Sequence, residues 1–399
     1  MNKLRIQIIS TYIPRECGIA TYTDNLIKAI KDVYKDEIYL GVAAINDKHY
    51  EYNHRVNFRI RQNVLEDYKY LADKINASNI DMVFLQHEYG IYGGFLGKYI
   101  LEFLKRNKKP VVMTMHTVSI KQDKPFRILP NHFRSKTKLI HDILQEVDYI
   151  TVMTNTARKY LINKFKFSKD KIKVIPHGTP EISQERIKKY QDLKTKLGFQ
   201  KKDFILASFG LINHRKGLEY VIRALPKIIQ AHPKLSLKYL IAGQIHPAQP
   251  EEYLVNLKKL VKKLQIQANV IFDTRYLSYE QIYKYLANTN IFITPYYTRE
   301  QASSGTLSYA IACGRCIVST PYIFAYDLIK RKKLGELIDF RDSKSIVKKI
   351  NKLIQNPDLI KKYEKNSQAV ARDITWENTA KKFASLFREI KRKYTYGKK

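Results

Sequence analysis

Cysteine is scarce in this chain: Cys17, Cys313 and Cys316 are the three in 399 residues, too few for a disulfide framework. Cys313-Gly-Arg-Cys316 is formally C-x-x-C, but it enters an apolar strand instead of opening a redox helix. No apolar stretch approaches the roughly 20 residues that span a bilayer. The opening MNKLRIQIISTYIPRECG has neither the apolar core nor the small-residue cleavage site of a signal peptide. A cytoplasmic protein is the expectation. G-x-G-x-x-G is missing from the strand-to-helix turns, which argues against a dinucleotide-dependent dehydrogenase. D-x-D and clusters of His and carboxylates at metal-ligand spacing are missing too, so neither a bound metal nor a cofactor is expected.

Acidic residues are in deficit, with 37 Asp and Glu against 72 Lys and Arg and a net charge of +35. Such a field attracts polyanions and anionic membranes. The charges are spread along helices, as in Lys258, Lys259, Lys262 and Lys263, and no zinc-finger, RNA-recognition or basic-zipper spacing accompanies them. That spread favours a solvated surface over a nucleic-acid partner. Peripheral association with an anionic membrane stays an alternative, motivated by Phe95–Arg106, although that segment packing as a helix on a sheet accounts for the same pattern.

What is abundant is alternation. Apolar strands at Leu4–Ser10, Ile38–Ala44, Met82–Leu85, Val111–Met115, Tyr149–Met153 and Ile172–Ile175 are separated by helical patterns at about 18–31, 65–77, 96–105, 136–146 and 157–165. Residues 1–178 therefore read as one doubly wound α/β domain with a parallel sheet. Residues 179–202, polar with one weak helical pattern, read as a linker. A second series of strands starts at Phe204 and continues to Ser319, within a second Rossmann-like domain spanning 203–375, and 376–399 read as a terminal helix with a basic tail. In such sheets ligands bind beyond the carboxyl ends of the strands, so two such domains would face a central cleft.

The loops at those ends carry the candidate chemistry. After the first strand, the turn containing Gly18 and Ile19 offers helix-start amides to an acceptor or a phosphate, and a plain strand-to-helix turn is its bland reading. His87 and Glu88, followed by Gly90, Gly93 and Gly94, suit polar recognition of an acceptor, though His87 is equally readable as structural. His116 ends a central strand, where an imidazole can contact a sugar hydroxyl or stabilise developing charge. In the second domain, Gly210 to Gly217 places Arg215 and Lys216 at a helix start, where the dipole already favours an anion. Ser304, Gly305, Thr306 and Leu307 open another helix, whose first-turn amides could hold phosphate.

With these loops in place the chain resembles the GT-B glycosyltransferases, and most of all the retaining nucleotide-sugar enzymes of glycosyltransferase family 4. The resemblance rests on the Gly18 turn, His116, Ile175-Pro176-His177-Gly178, the Gly210–Gly217 loop, Ala242-Gly243, Ser308–Thr320 and the closing Thr375-Trp376-Glu377-Asn378. It implies two Rossmann-like domains with the last helix crossing back to the first. It also implies transfer of a hexose from a nucleoside diphosphate donor to a carbohydrate or lipid-linked acceptor. Departures are specific. Leu211 stands where the family has Arg, with Lys216 matching its Lys. The paired glutamates E-x7-E fall on Gln301 and Tyr309, with Glu300 beside the first. By resemblance Gln301 or Glu300 contacts the donor sugar and Tyr309 takes the ribose position, alongside Gly210, Arg215, Lys216, Ser304, Gly305, Thr306 and Leu307 at the donor. Gln301 with Ser-Gly-Thr-Leu is similar to a mannosyltransferase branch, making GDP-mannose the first donor expectation. The altered positions keep a non-catalytic sugar-binding or partner subunit as the alternative.

Overall fold

The computed structural model describes residues 3–118, 130–245 and 251–396. The chain divides into two compact units, one comprising Met1–Gly178, Glu300–Ser303 and Trp376–Lys399, the other Thr179–Arg299 and Ser304–Thr375.

In the first unit seven strands, β1 (Leu4–Ser10), β2 (Ile38–Asn46), β3 (Val56–Arg61), β4 (Met82–His87), β5 (Val111–Met115), β6 (Tyr149–Val152) and β7 (Ile172–Val174), lie in the order β3-β2-β1-β4-β5-β6-β7. Every ladder is parallel. β4 and β5 are buried throughout, as strands covered on both faces must be, and their sequences are near-continuous apolar runs. β3 escapes a reading based on such runs. Its sequence VNFRIR alternates with charge, because it is the edge strand and half of it faces solvent. The helix expected from Leu96 starts later. A 3₁₀ turn at Phe95–Gly97, with Leu96 and Gly97 both at positive φ, delays it to Ile100–Arg106.

The terminal helix Trp376–Tyr396 belongs to this unit. Its Phe383 and Phe387 are fully buried, with ring centroids 5.2 and 5.1 Å from Phe84 of β4. Gly178 lies so close to it that a Cβ there would sit 2.3 Å from the Trp376 ring.

The second unit holds six parallel strands, β8 (Phe204–Phe209), β9 (Leu237–Ala242), β10 (Val270–Asp273), β11 (Ile291–Thr294), β12 (Cys316–Ser319) and β13 (Gly335–Leu337), ordered β10-β9-β8-β11-β12-β13. Helix Leu218–Ala231 presents Val221, Ile222, Leu225 and Ile228 to the core, where Ile346, Ile350 and Leu353 of helix Ser343–Gln355 join them. Residues 179–202 are not a linker. Helix Gln184–Gln191 buries Ile187 and Tyr190 against Ala287, and Asn288 donates to the Tyr190 carbonyl at 2.8 Å. Its polar sequence conceals this because only two of eight side chains are buried.

Replacing Phe387 with Ala removes a fully buried ring and is expected to destabilise the first unit by about 3–5 kcal/mol. The urea midpoint measures it, and a loss under about 1 kcal/mol would mean that the helix is not part of that core.

Candidate functional site

In both sheets chain order reverses beside the first strand of the unit, between β1 and β4 and between β8 and β11. Loops diverge there and leave a crevice at the carboxyl ends.

In the second unit the loops after β8 and β11 flank that point. Gly210 follows β8 at φ +114, a conformation that favours glycine. A Cβ on it would lie 3.3 Å from both Lys216 Nζ and Thr306 Cγ2, so the missing side chain leaves that space to them. The chain then turns through His214–Lys216, where Asn213 Oδ1 accepts from the Arg215 amide at 3.0 Å. This turn directs Lys216 inward. Its Nζ donates to the Tyr296 hydroxyl at 2.8 Å and lies 4.2 Å from that ring's centroid. The Tyr296 hydroxyl lies within hydrogen-bond distance of Thr306 Oγ1 at 3.3 Å, and Thr306 Oγ1 lies 3.4 Å from Ser304 Oγ. Burial alone would raise the Tyr296 phenol, but the Lys216 ammonium and the Thr306 and Ser304 hydroxyls bring it below its ordinary value.

Helix Gly305–Ala312 begins beside this group. Ser304 Oγ caps it by accepting from the Leu307 amide at 3.4 Å. Leu307 thus departs from its expected part: its side chain is in the core and its amide is engaged, leaving the first-turn amides of Gly305 and Thr306 without a partner among the described residues. Tyr309 is buried, with its ring edge-on to Tyr279 and Tyr283 at 5.7 and 6.0 Å. Its hydroxyl comes within 3.9 Å of a Cβ built on Gly305. Arg215 is exposed. A half-buried ammonium, two amides and two hydroxyls converge, with no carboxylate bonded to Lys216 among the described residues, an arrangement suited to an anion.

In the first unit the loops after β1 and β4 flank the reversal. Gly18 starts helix Gly18–Tyr34, which has no side-chain cap, and a Cβ on Gly18 would meet nothing within 4 Å. Ile19 is in the core. His87 is interior too, 1% exposed, so of the His87–Glu88 pair only Glu88 reaches the half-exposed layer, where its Oε2 accepts from Thr117 Oγ1. His116 follows β5 at 2% exposure, its Nε2 2.8 Å from Gln86 Oε1 and its ring 4.8 Å from that of Tyr22. Its carbonyl accepts from the Ala302 amide at 3.2 Å and from Ser303 Oγ at 3.4 Å. The Val118 amide donates to the Glu300 carbonyl at 3.2 Å, completing a short antiparallel pairing of 116–118 with 300–302. Gln301 Nε2 donates to the Ser303 carbonyl at 2.9 Å, whereas the Glu300 carboxylate is 3.8 Å from Lys136 Nζ.

His116, His87 and His177 are all interior. Burial pushes His116 to about 3, helped by its histidine neighbours, and His87 and His177 to about 4. All three are neutral at pH 7, so His116 can orient or hydrogen-bond but carries no charge. Tyr296 is the residue that sequence reasoning missed. It lies beyond the carboxyl end of β11, the position rule that singled out Lys216, but a Tyr beside Pro295 and Tyr297 carries no motif. Among the described residues no group of three or more His, Cys, Asp or Glu is placed to hold a metal ion. No helix among them is long and apolar enough to cross a membrane.

Two families match successive parts of the chain: Glycosyltransferase Family 4 over residues 18–181 and Glycosyl transferases group 1 over residues 189–370. An uncharacterized glycosyltransferase of Methanocaldococcus jannaschii, MJ1069, is 25% identical over 98% of this chain and all of its own length. Alpha-monoglucosyldiacylglycerol synthase of Streptococcus pneumoniae is 27% identical over 65% of this chain and 56% of its own. Among solved structures, Anabaena Alr3699/HepE in complex with UDP superposes with a TM-score of 0.72 at 16% identity, covering 97% of this chain and all of that one.

The neutral histidines make the first unit acid-sensitive. Their folded values lie below the ordinary 6.5, so the stability they contribute is complete above pH 6.5 and is lost as pH falls toward 4. Each loses about 1.4 kcal/mol per pH unit in that window. The urea midpoint is expected to drop from pH 7.5 to 5.0, and His87→Gln to flatten the dependence. A midpoint unchanged over that range would contradict interior neutral imidazoles.

Proposed function

Because this chain belongs to the GT-B glycosyltransferases of family 4 type, and so transfers a sugar from a nucleotide-sugar donor, we propose that it is a retaining hexosyltransferase whose donor diphosphate is held in the second unit. The observation that carries this is Lys216, a half-buried ammonium bonded to a phenol, not to a carboxylate, beside Gly210 and the open start of helix Gly305–Ala312. The diphosphate would lie against the Gly305 and Thr306 amides, with Ser304, Thr306 and Lys216 around it and exposed Arg215 as an outer positive charge. Tyr309, one turn along, is proposed for the ribose side.

Lys216 would act on the leaving group. As the bond from the anomeric carbon to the phosphate oxygen breaks, negative charge grows on the diphosphate, and a preorganised ammonium with helix amides stabilises it. The departing phosphate oxygen would take the proton of the acceptor hydroxyl as that hydroxyl bonds to the same face of the sugar. No metal is required in this scheme. In the first unit, the Gly18 turn and Glu88 are proposed for a carbohydrate or lipid-linked acceptor, and His116 and Gln301 for sugar hydroxyls.

A UDP-hexose is favoured by the UDP and UDP-glucose complexes of the HepE neighbour. The Gln301 and Ser304–Leu307 pattern favours GDP-mannose as the second reading. Incubating the pure protein with UDP-glucose, UDP-galactose, UDP-N-acetylglucosamine, GDP-mannose and ADP-glucose, and measuring nucleotide release, tests both. Release from a UDP-hexose is expected, with kcat/KM reduced about 10²–10³-fold in Lys216→Met. Release unaffected by that substitution would remove the proposed diphosphate site.

A further inference from the structure

Tyr296 stands between the two parts of the proposed donor site and belongs wholly to neither. Its hydroxyl receives a hydrogen bond from Lys216 Nζ at 2.8 Å and reaches Thr306 Oγ1 at 3.3 Å. It therefore ties the loop after β8 to the first turn of the helix after β11. The ring is held apart from these bonds: it is 4% exposed and stacks on Tyr322 at 5.0 Å between centroids and 20° between planes. Its main chain is fixed as well, since Thr320 Oγ1 donates to the Tyr296 carbonyl at 2.8 Å. A hydroxyl so fixed is a rigid anchor, whereas a lysine side chain left alone samples many rotamers, and ordering it costs up to roughly 2 kcal/mol.

From this geometry we infer that Tyr296 is a positioning residue for the donor, which keeps Lys216 and the Thr306 hydroxyl aimed at the diphosphate before it arrives. The inference rests on the donor reading above. Tyr296 is the bonded partner of Lys216 among the described residues. It is also the right kind of partner. A carboxylate there would cancel the ammonium and repel a diphosphate, while a neutral phenol orders the ammonium and leaves its charge available.

Choosing a phenol has a consequence at high pH. The groups facing the hydroxyl are Lys216, Thr306 and Ser304, with Tyr322 against the ring, and Lys216 is the charged one. When the phenol ionises, it becomes an anion bonded to Lys216 that competes with the diphosphate. Because Lys216 draws that ionisation below the ordinary tyrosine value, donor affinity should decline on the alkaline side.

The test is equilibrium binding of UDP and of GDP to the full chain between pH 7 and 9.5, for the native protein, Tyr296→Phe, Thr306→Val and Lys216→Met, each checked by thermal melting. Tyr296→Phe keeps the stacked ring and removes only the hydroxyl. The expected result is affinity about 3–10-fold weaker at pH 7 for Tyr296→Phe, consistent with one lost orienting hydrogen bond. The native protein weakens as pH rises, while the Phe variant stays flatter. Thr306→Val, which cuts the same bridge from its other end, should weaken binding at pH 7 and carries the test if Tyr296→Phe melts below the assay temperature. Native affinity and an unchanged pH profile in a folded Tyr296→Phe, with Lys216→Met still impaired, would overturn the positioning role alone. If Lys216→Met also binds normally, the donor reading has failed first.

Discussion

The second unit's site depends on one backbone-to-backbone contact. Gly243, after β9, sits at φ +136, and a Cβ on it would lie 2.4 Å from the Gly210 carbonyl oxygen. No other residue permits that approach. Gly210 is held there by its amide on the Ala242 carbonyl at 3.1 Å, and Gly243 by its amide on the Asp273 carbonyl at 2.8 Å. Three neighbouring strands are thus stitched together just past their carboxyl ends. The stitching turns Gly210 so that its missing side chain faces Lys216 and Thr306. Gly217 repeats the device, since a Cβ on it would meet the Pro295 carbonyl at 2.2 Å, which brings the loop after β8 against the loop after β11. The polar groups of the site converge because the backbones carrying them touch.

Much of this was legible in the sequence. Buried parallel strands are written as apolar runs, so β1, β4, β5, β8 and β11 could be read directly, and the loops following them gave Gly18, His116, Gly210, Lys216 and Gly305. The illegible parts share a cause: their burial is partial or their partners are distant. β3 shows charge on its exposed side, and helix Gln184–Gln191 hides two apolar contacts in a polar segment. His87 looked available beside Glu88, but strand alternation and the cover of Tyr89 and Tyr92, with ring centroids 5.4 and 6.3 Å away, turn it inward. The contact of the Glu300 carboxylate with Lys136, far off in the chain, was likewise invisible to any local pattern.

Both units bury polar groups that have no partner among the described residues, the Tyr322 hydroxyl being one in the second unit, but the strand pairs beside the two reversals differ. Around β4 and β5, the Gln86 Nε2, His87 Nδ1 and Tyr22 hydroxyl are buried without a partner among the described residues, and three depressed imidazoles lie nearby. Around β8 and β11, Lys216, Tyr296, Thr306 and Ser304 bond one another in sequence. Unsatisfied polar groups lower stability, and linked ones fix a geometry. In the first unit the main restraint on His116 is therefore the bond to Gln86 together with the 300–303 segment on its carbonyl.

That segment and the terminal helix make the first unit discontinuous, assembled from three stretches of chain. Phe383 and Phe387, which cover Phe84, are near the end of the sequence. During synthesis on the ribosome the surface around Phe84 must wait, bare of that cover, until the whole second unit has been made. A nascent domain with an apolar face open for so long is the sort of species that aggregates or engages chaperones. The order in which this chain emerges therefore sets when its first half can finish folding.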